Sequence, residues 1–193
     1  CYIVAPGSTL TIKAVEGNST TELNFNNAAL VWQDALGMVK SVSANSTEKV
    51  VVVQLNPGIA GNAVVAAKLD DVIVWSWHVW VADYDPMSDP FVWTDKSTGT
   101  SYTFMDRNLG AKNAKKYDAG ALGLLYQWGR KDPFARNLTA TRPGGKPYES
   151  ASSDLEKTEA VTEATGTIAY ATRNPQTLSL IHISEPTRPL YIS

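Results

Sequence analysis

The chain is poor in the residues from which small reaction centres are usually built. It has one cysteine, Cys1, and two histidines, His78 and His182, among 193 residues. A lone cysteine rules out an intrachain disulfide. With no cysteine near His78 and no HxH or HExxH spacing, a zinc site has no donor set. A hydrogen-bonded structural role for His78 is the expectation. No GxSxG elbow is present, and a nucleophile triad would have to recruit His78 from the centre of a strand. Gly144-Gly145-Lys146 lacks the flanking strand and helix of a phosphate loop. Asp85, Asp89 and Asp95 have neither the spacing nor the glycine of a calcium loop and read as solvated linker carboxylates. No cofactor is implied. Charge is equally sparse: the net value of −2 makes no electrostatic case for nucleic acid or an anionic membrane. No apolar run is long enough for a transmembrane segment.

What is abundant is β patterning. At this length a chain buries roughly 70% of its unfolded surface, so neither metal nor disulfide staples are needed. The stretch Val72 to Val81, VIVWSWHVWV, carries three of the six tryptophans. Trp75, Trp77, Val79 and Val81 fall on one face at period two, with Ser76, His78 and Trp80 on the other. The pattern predicts Trp75 and Trp77 in a core and Ser76 and His78 more exposed. Gly61 to Leu69 should pair with this strand across Asp70-Asp71 as a hairpin. Tyr2–Ala5, Thr9–Val15, Ala28–Gln33, Met38–Val42 and Glu48–Leu55 are further strands, separated by turn chemistry such as Pro6-Gly7 and Pro57-Gly58. The fold class is mainly β: a small antiparallel β-sandwich, then a different kind of sequence.

That second part opens with Phe91–Asp95 and Ser101–Asp106, a second hairpin across Ser97-Thr98-Gly99. Asp118 can cap a helix running to Arg130, with Leu122, Leu125 and Tyr126 on one face, although Gly120 and Gly123 weaken it. Arg136 to Ser153 reads as a loop. Leu155–Ala164 reads as a helical turn or a mobile stretch, and Thr167–Ala171 as a strand. The sequons at Asn18, Asn45 and Asn137 read as turns.

Two groups of residues could carry function. Asp106 and Asp132 lie in aromatic surroundings and are the best candidates for a glycosidase carboxylate pair. Arg107, Arg130 and Lys131 sit beside them in sequence, which favours a structural polar cluster of Asp106, Arg107, Asn108, Arg130 and Asp132, in which Asp106 and Arg107 bond with Arg130 or Asp132 as partners. Trp93, Tyr102, Tyr126 and Trp128 could form a sugar-stacking platform, though aromatic residues at such density are more often core.

The first part, through CYIVAPGSTLTIKAVEGN (Cys1 to Asn18), ALVWQDA (Ala29 to Ala35), GNAVVAAK (Gly61 to Lys68) and WSWHVWVADY (Trp75 to Tyr84), resembles a module of fimbrillin-like surface proteins from Bacteroides-type bacteria. The second part resembles the major paralogous (FISUMP) domain, through FVWTDKSTGTSYTFMDRNLGA (Phe91 to Ala111), GLLYQWGRKDPF (Gly123 to Phe134) and IAYATRNPQT (Ile168 to Thr177). The resemblance implies a sandwich over residues 1–84, a truncated α+β, C-type-lectin-like domain over 85–177, and a secreted or outer-membrane cell-surface location. It implies a non-enzymatic role in adhesion or appendage assembly. The partners it implies are other surface or fimbrial subunits, glycans or host surface proteins. It carries no catalytic residue. The alternative is an accessory domain of a polysaccharide-degrading enzyme, or a degenerate glycoside hydrolase using Asp106 and Asp132. In the family the Cys-Tyr-Ile-Val piece lies inside a longer chain, so Cys1 is expected to mark a truncation rather than a lipidated residue. The family's Cys-Pro-x-Gly-Trp/Tyr-Arg-x-Pro segment is absent, so unpaired strand edges and exposed apolar surface are expected in the second domain. Residues 178–193 begin LSLIHISEPTR, which resembles one translated frame of a transposase-based sequencing adapter. No role is expected for His182 or for the rest of that tail.

Overall fold

A computed structural model describes residues 1–88, 90–127, 129–134, 149–150, 157–159 and 162–179. The molecule is mainly β with several sheets. Seven strands fill the first part: β1 (Tyr2–Val4), β2 (Thr9–Lys13), β3 (Asn27–Gln33), β4 (Val39–Asn45), β5 (Val50–Leu55), β6 (Gly61–Leu69) and β7 (Val72–Val81). They form a sheet of order β1-β7-β6-β3, extended at its far edge by β10 (Glu149–Ser150), and a second sheet of order β2-β5-β4. Strand β1 runs parallel to β7, whereas β3, β6 and β7 are antiparallel neighbours.

The two sheets share one core. Val51, Val53 and Leu55 alternate with partly exposed residues along β5, and Ile12 joins them from β2. They face Ala63, Val65 and Ala67 of β6 and Trp77, Val79 and Val81 of β7. Phe25 and Met38 are buried in the same layer. The alternation along β5 is what one buried face dictates. Strand β6 behaves differently, because Ala63 through Ala67 are all fully buried. An unbroken run of small and β-branched residues is the mark of a central strand covered on both faces.

That double covering overturns one expectation. The inward face of β7 is the predicted one, with Trp77 buried and Trp75 partly so. Ser76 and His78, expected to be more exposed, are only 3% and 5% exposed. The outer face of the large sheet is a second apolar layer, built on Val31, Trp32, Val64 and Ala66 with Ile73 and Leu124 packed against it. Leu124 comes from the second part, so cover arrives from a segment some forty residues later, which period-two reasoning on β7 alone cannot detect.

The covering segment is glycine-dependent. Gly110 has φ +82°, and a Cβ there would lie 2.6 Å from Leu124 Cγ and 2.9 Å from Asn62 Oδ1. At Gly123 a Cβ would sit 2.6 Å from the Leu109 carbonyl oxygen. The Leu124 amide donates to that same carbonyl at 3.1 Å, so the two stretches touch backbone to backbone.

Elsewhere the second part is sparser. Among the described residues, strands β8 (Pro90–Thr94) and β9 (Ser101–Met105) pair only with each other. The helix expected from Asp118 to Arg130 does not form. Asp118 does cap, accepting from the Gly120 amide, but only a 3-10 turn over Ala119–Ala121 follows. Gly120 and Gly123 supply the reason, since each raises the entropy cost of continuing a helix. The strand expected at Thr167–Ala171 is instead a short helix, α1 (Ile168–Arg173), capped by the Thr167 hydroxyl, which accepts from the Tyr170 amide. Over the stretch expected to be helical or mobile, β11 (Lys157–Glu159) pairs in parallel with β12 (Thr177–Ser179). The expected loop at Arg136–Ser153 and the tail beyond Ser179 lie largely outside the described residues.

The β6–β7 turn makes the first prediction. Asp70 and Asp71 both take positive φ, 48° and 68°, the geometry of a two-residue type I′ hairpin turn. Asp70 is tied down by reciprocal bonds with Asn26, at 2.9 and 3.3 Å. Asp71 makes only a 3.4 Å exposed contact with Lys68. Asp71→Gly should therefore raise unfolding free energy by roughly 0.5–1 kcal/mol. Urea titration of both proteins measures it.

Candidate functional site

The five residues of the anticipated polar cluster separate into distinct environments. Asp106 and Arg107 bond to each other, with Arg107 Nε and Nη2 donating to the two carboxylate oxygens at 2.6 and 2.9 Å. The same guanidinium lies 3.8 Å over the Tyr84 ring. Hydrogen bonds from Arg107 hold the Asp106 carboxyl below its ordinary pKa. That direction is opposite to what a general acid for glycoside cleavage requires. Asn108 donates to the Ala121 carbonyl at 3.3 Å. Arg130 donates to the carbonyls of Ala171 and Asn174 at the C-terminal end of α1. It also lies 5.3 Å over Phe134.

Asp132 is 3% exposed and belongs to the seam between the two parts. It accepts from Ser76 Oγ at 2.8 Å and from Lys131 Nζ at 2.8 and 3.0 Å. Lys131 Nζ also donates to Ser76 O at 2.9 Å and to Ser76 Oγ, and it lies 4.6 Å over the Trp75 ring. A serine hydroxyl bonded to a lysine invites a nucleophilic reading. Here the lysine is paired with Asp132, and the Ser76 hydroxyl proton is already donated to that same carboxylate. The trio fastens the second part to β7.

A second polar fastening uses His78. Asn62 donates its amide nitrogen to Asp34 Oδ2 at 2.8 Å and to the Gly110 carbonyl at 2.9 Å. Its oxygen is therefore the acceptor in the 3.1 Å contact with His78 Nε2, which fixes the histidine tautomer with the proton on Nε2. Burial lowers the His78 pKa from 6.5 to about 3. Neither Asn62 nor Ser76 is flagged by any sequence motif. Only the unbroken apolar run around Asn62 in GNAVVAAK signals that its amide must find a buried partner.

The anticipated aromatic platform is partly assembled. Cross-strand partners in the β8–β9 hairpin are Phe91 with Phe104 and Trp93 with Tyr102, so all four rings share one face. Each is about half exposed, Trp93 by 50%. The Trp93 and Tyr102 centroids are 5.8 Å apart, with planes tilted by 31°. The hairpin turn is held by Asp95, which accepts from the Ser97 amide and hydroxyl and from the Thr98 hydroxyl. Tyr126 is also exposed, but among the described residues no ring contact joins it to the pair. Trp128 and Asp89 lie outside the described residues.

Next to the hairpin, starting at Met105, opens a cleft of about 720 Å³ lined by Asp106, Arg107, Asn108, Asn113 and the loop to Asp118. Asp132 does not line it. A second cleft of about 490 Å³ lies between Trp75, Lys131 and α1. Among the described residues no group of three or more His, Cys, Asp or Glu side chains could hold a metal. No helix of the described residues is long and apolar enough to cross a membrane. No family model, no curated protein and no solved structure matches the chain.

Two measurements check the seam. Asp132→Ala strands the Lys131 ammonium and the Ser76 hydroxyl and should destabilise by about 2–4 kcal/mol. The double change Lys131→Met with Asp132→Leu should cost less than the single one, by denaturant titration. The pH profile tests His78. Because its folded pKa lies below 6.5, the unfolded chain takes up the proton first on acidification. Its contribution is whole above pH 6.5 and is lost as pH falls toward about 3. His78→Gln should flatten the stability profile across that window. An unchanged slope would show that other groups set it.

Proposed function

We propose that this chain is a non-enzymatic bacterial cell-surface module that binds glycans through the aromatic face of the β8–β9 hairpin. On this reading the two-sheet body is a rigid mount, and the second part, the start of a C-type-lectin-like α+β domain, presents the hairpin. Other surface or fimbrial subunits and host surface proteins are the partners that the motif resemblance suggests.

One observation carries the reading: four aromatic rings, Phe91, Trp93, Tyr102 and Phe104, stand together on one half-exposed face of a hairpin that, among the described residues, pairs with no other strand. Rings in solvent give up the apolar burial that normally positions them. A pyranose offers a complementary surface, since its C–H face carries partial positive charge and the ring face is negative. The paired strands hold Trp93 and Tyr102 at fixed spacing before any ligand arrives, which reduces the ordering cost of binding. The MDRNLGA and YQWGRKDPF segments support the surface-protein context through their resemblance to FISUMP domains. The ion-paired state of Asp106 and the burial of Asp132 weigh against the hydrolase alternative.

Glycan-array binding followed by titration of the best ligand tests this. Trp93→Ala should weaken binding roughly tenfold or more, a loss of about 1.4 kcal/mol or greater, without slowing any release of product. Its thermal midpoint should stay near that of the parent, because the ring is half in solvent. Undiminished affinity in Trp93→Ala and Tyr102→Ala would remove the hairpin from the site. Turnover of a polysaccharide would argue for the enzyme.

A further inference from the structure

The loop Asn113–Asp118 displays an aromatic ring at the edge of the larger cleft. Tyr117 adopts φ +64°, a left-handed conformation that disfavours a bulky side chain. The angle belongs to a β-turn in which the Asp118 amide donates to the Lys115 carbonyl at 3.2 Å and Tyr117 takes the third position. The turn leaves the Tyr117 ring 95% exposed. The loop around it is firmly built. Asn113 Oδ1 accepts from the Lys115 amide at 2.9 Å, and the Lys112 amide donates to the Gly120 carbonyl at 2.7 Å. The Asp118 carboxylate accepts from the Gly120 amide at 2.6 Å and from Asn113 Nδ2 at 3.3 Å.

The charges around Tyr117 are unequally engaged. Both carboxylates lining the 720 Å³ cleft are occupied, Asp106 by Arg107 and Asp118 by the loop itself. Lys115 and Lys116 line the same cleft, are exposed, and among the described residues enter no ion pair. Lys116 Nζ sits 4.8 Å over the Tyr117 ring. A displayed ring with the Lys116 ammonium over its face, in a cleft also lined by Lys115 and by the Asn108 and Asn113 amides, matches one ligand class. It is a sugar that stacks one face on an aromatic ring while its anionic substituent meets the lysines.

We propose that this cleft is a subsite for a carboxylated pyranose, a uronic acid unit of an anionic glycan. Tyr117 is the stacking surface, Lys115 and Lys116 hold the carboxylate, and Asn108 and Asn113 meet hydroxyls. The assignment rests on the glycan-binding reading above and adds to it a charge preference. Because the lysines are exposed, their contribution is screened by salt. The hairpin's apolar stacking is not screened in this way.

The experiment is calorimetric titration of the full 193-residue chain with an oligogalacturonate and with a neutral xylo-oligosaccharide of equal length. The expected result is at least tenfold tighter binding of the oligogalacturonate at low salt, with the margin shrinking as sodium chloride rises. Lys115→Glu with Lys116→Glu should abolish that margin while leaving xylo-oligosaccharide binding and the thermal midpoint unchanged. Tyr117→Gly, which keeps the backbone conformation and removes the ring, should lose oligogalacturonate affinity while its midpoint holds or rises. Equal affinity for the two sugars, or a Tyr117→Gly protein that binds oligogalacturonate like the parent, overturns the subsite and leaves the hairpin reading standing. Failure of both sugars to bind, with an empty glycan array, overturns both.

Discussion

The structure depends on one constraint: a sheet buried on both faces must find partners for the polar side chains its strands carry, and it does so for Asn62, Ser76 and His78 though not for the Trp80 indole nitrogen. Strands β6 and β7 place Asn62, Ser76 and His78 on the outer face of the large sheet. Left dry and unbonded, each would cost a few kcal/mol, comparable to a large share of a domain's net stability. The partners come from far along the chain: Asp132 and Lys131 for Ser76, and the Gly110 carbonyl for Asn62. The same bonds that satisfy the sheet hold the second part in place. Apolar contacts such as Leu124 against the Trp32 layer add area, but the polar bonds specify where the segment must sit.

This arrangement gives the glycines of MDRNLGA and GLL a physical reason. Gly110 must deliver its carbonyl to Asn62 while Leu124 passes over it, and any side chain would occupy the space that Leu124 takes. Gly123 lets the chain run against Leu109. With Arg107 folded over Tyr84 and onto Asp106, the whole segment reads as a bracket. The hairpin and the Tyr117 loop lie on either side of it.

How much of this was legible beforehand follows from the range of each signal. Strands β6 and β7, their turn at Asp70-Asp71, and the inward face bearing Trp77 and Val79 are encoded locally by period two and turn chemistry, and they match the residues closely. The burial of Ser76 and His78 was misread, because the cover comes from Leu124 and Asp132, which alternation within one strand cannot register. The helix from Asp118 was expected on the spacing of Leu122, Leu125 and Tyr126, and the backbone entropy of two glycines prevailed. At Thr167–Ala171, read as a strand, a capping hydroxyl and the bonds from Arg130 to the end of α1 favour a helix. For the candidate site, Trp93 and Tyr102 were visible as a pair once a hairpin was inferred. Tyr117 was not, since a left-handed backbone angle leaves no trace in a Lys-Lys-Tyr-Asp string.

The seam also sets a timetable for synthesis. When β7 has been made, Val31, Trp32, Val64, Ala66 and Trp80 already share the outer face of the large sheet, but the chain that will cover them does not yet exist. Leu124, which packs on that face, lies about forty residues further on, so a ribosome adding roughly 5–20 residues per second leaves the face bare for several seconds. During that interval the nascent molecule offers a flat, tryptophan-bearing sheet to any neighbour. A holding chaperone, or retention of the chain in an extended state until it is complete, would have to shield a surface that the finished protein never displays.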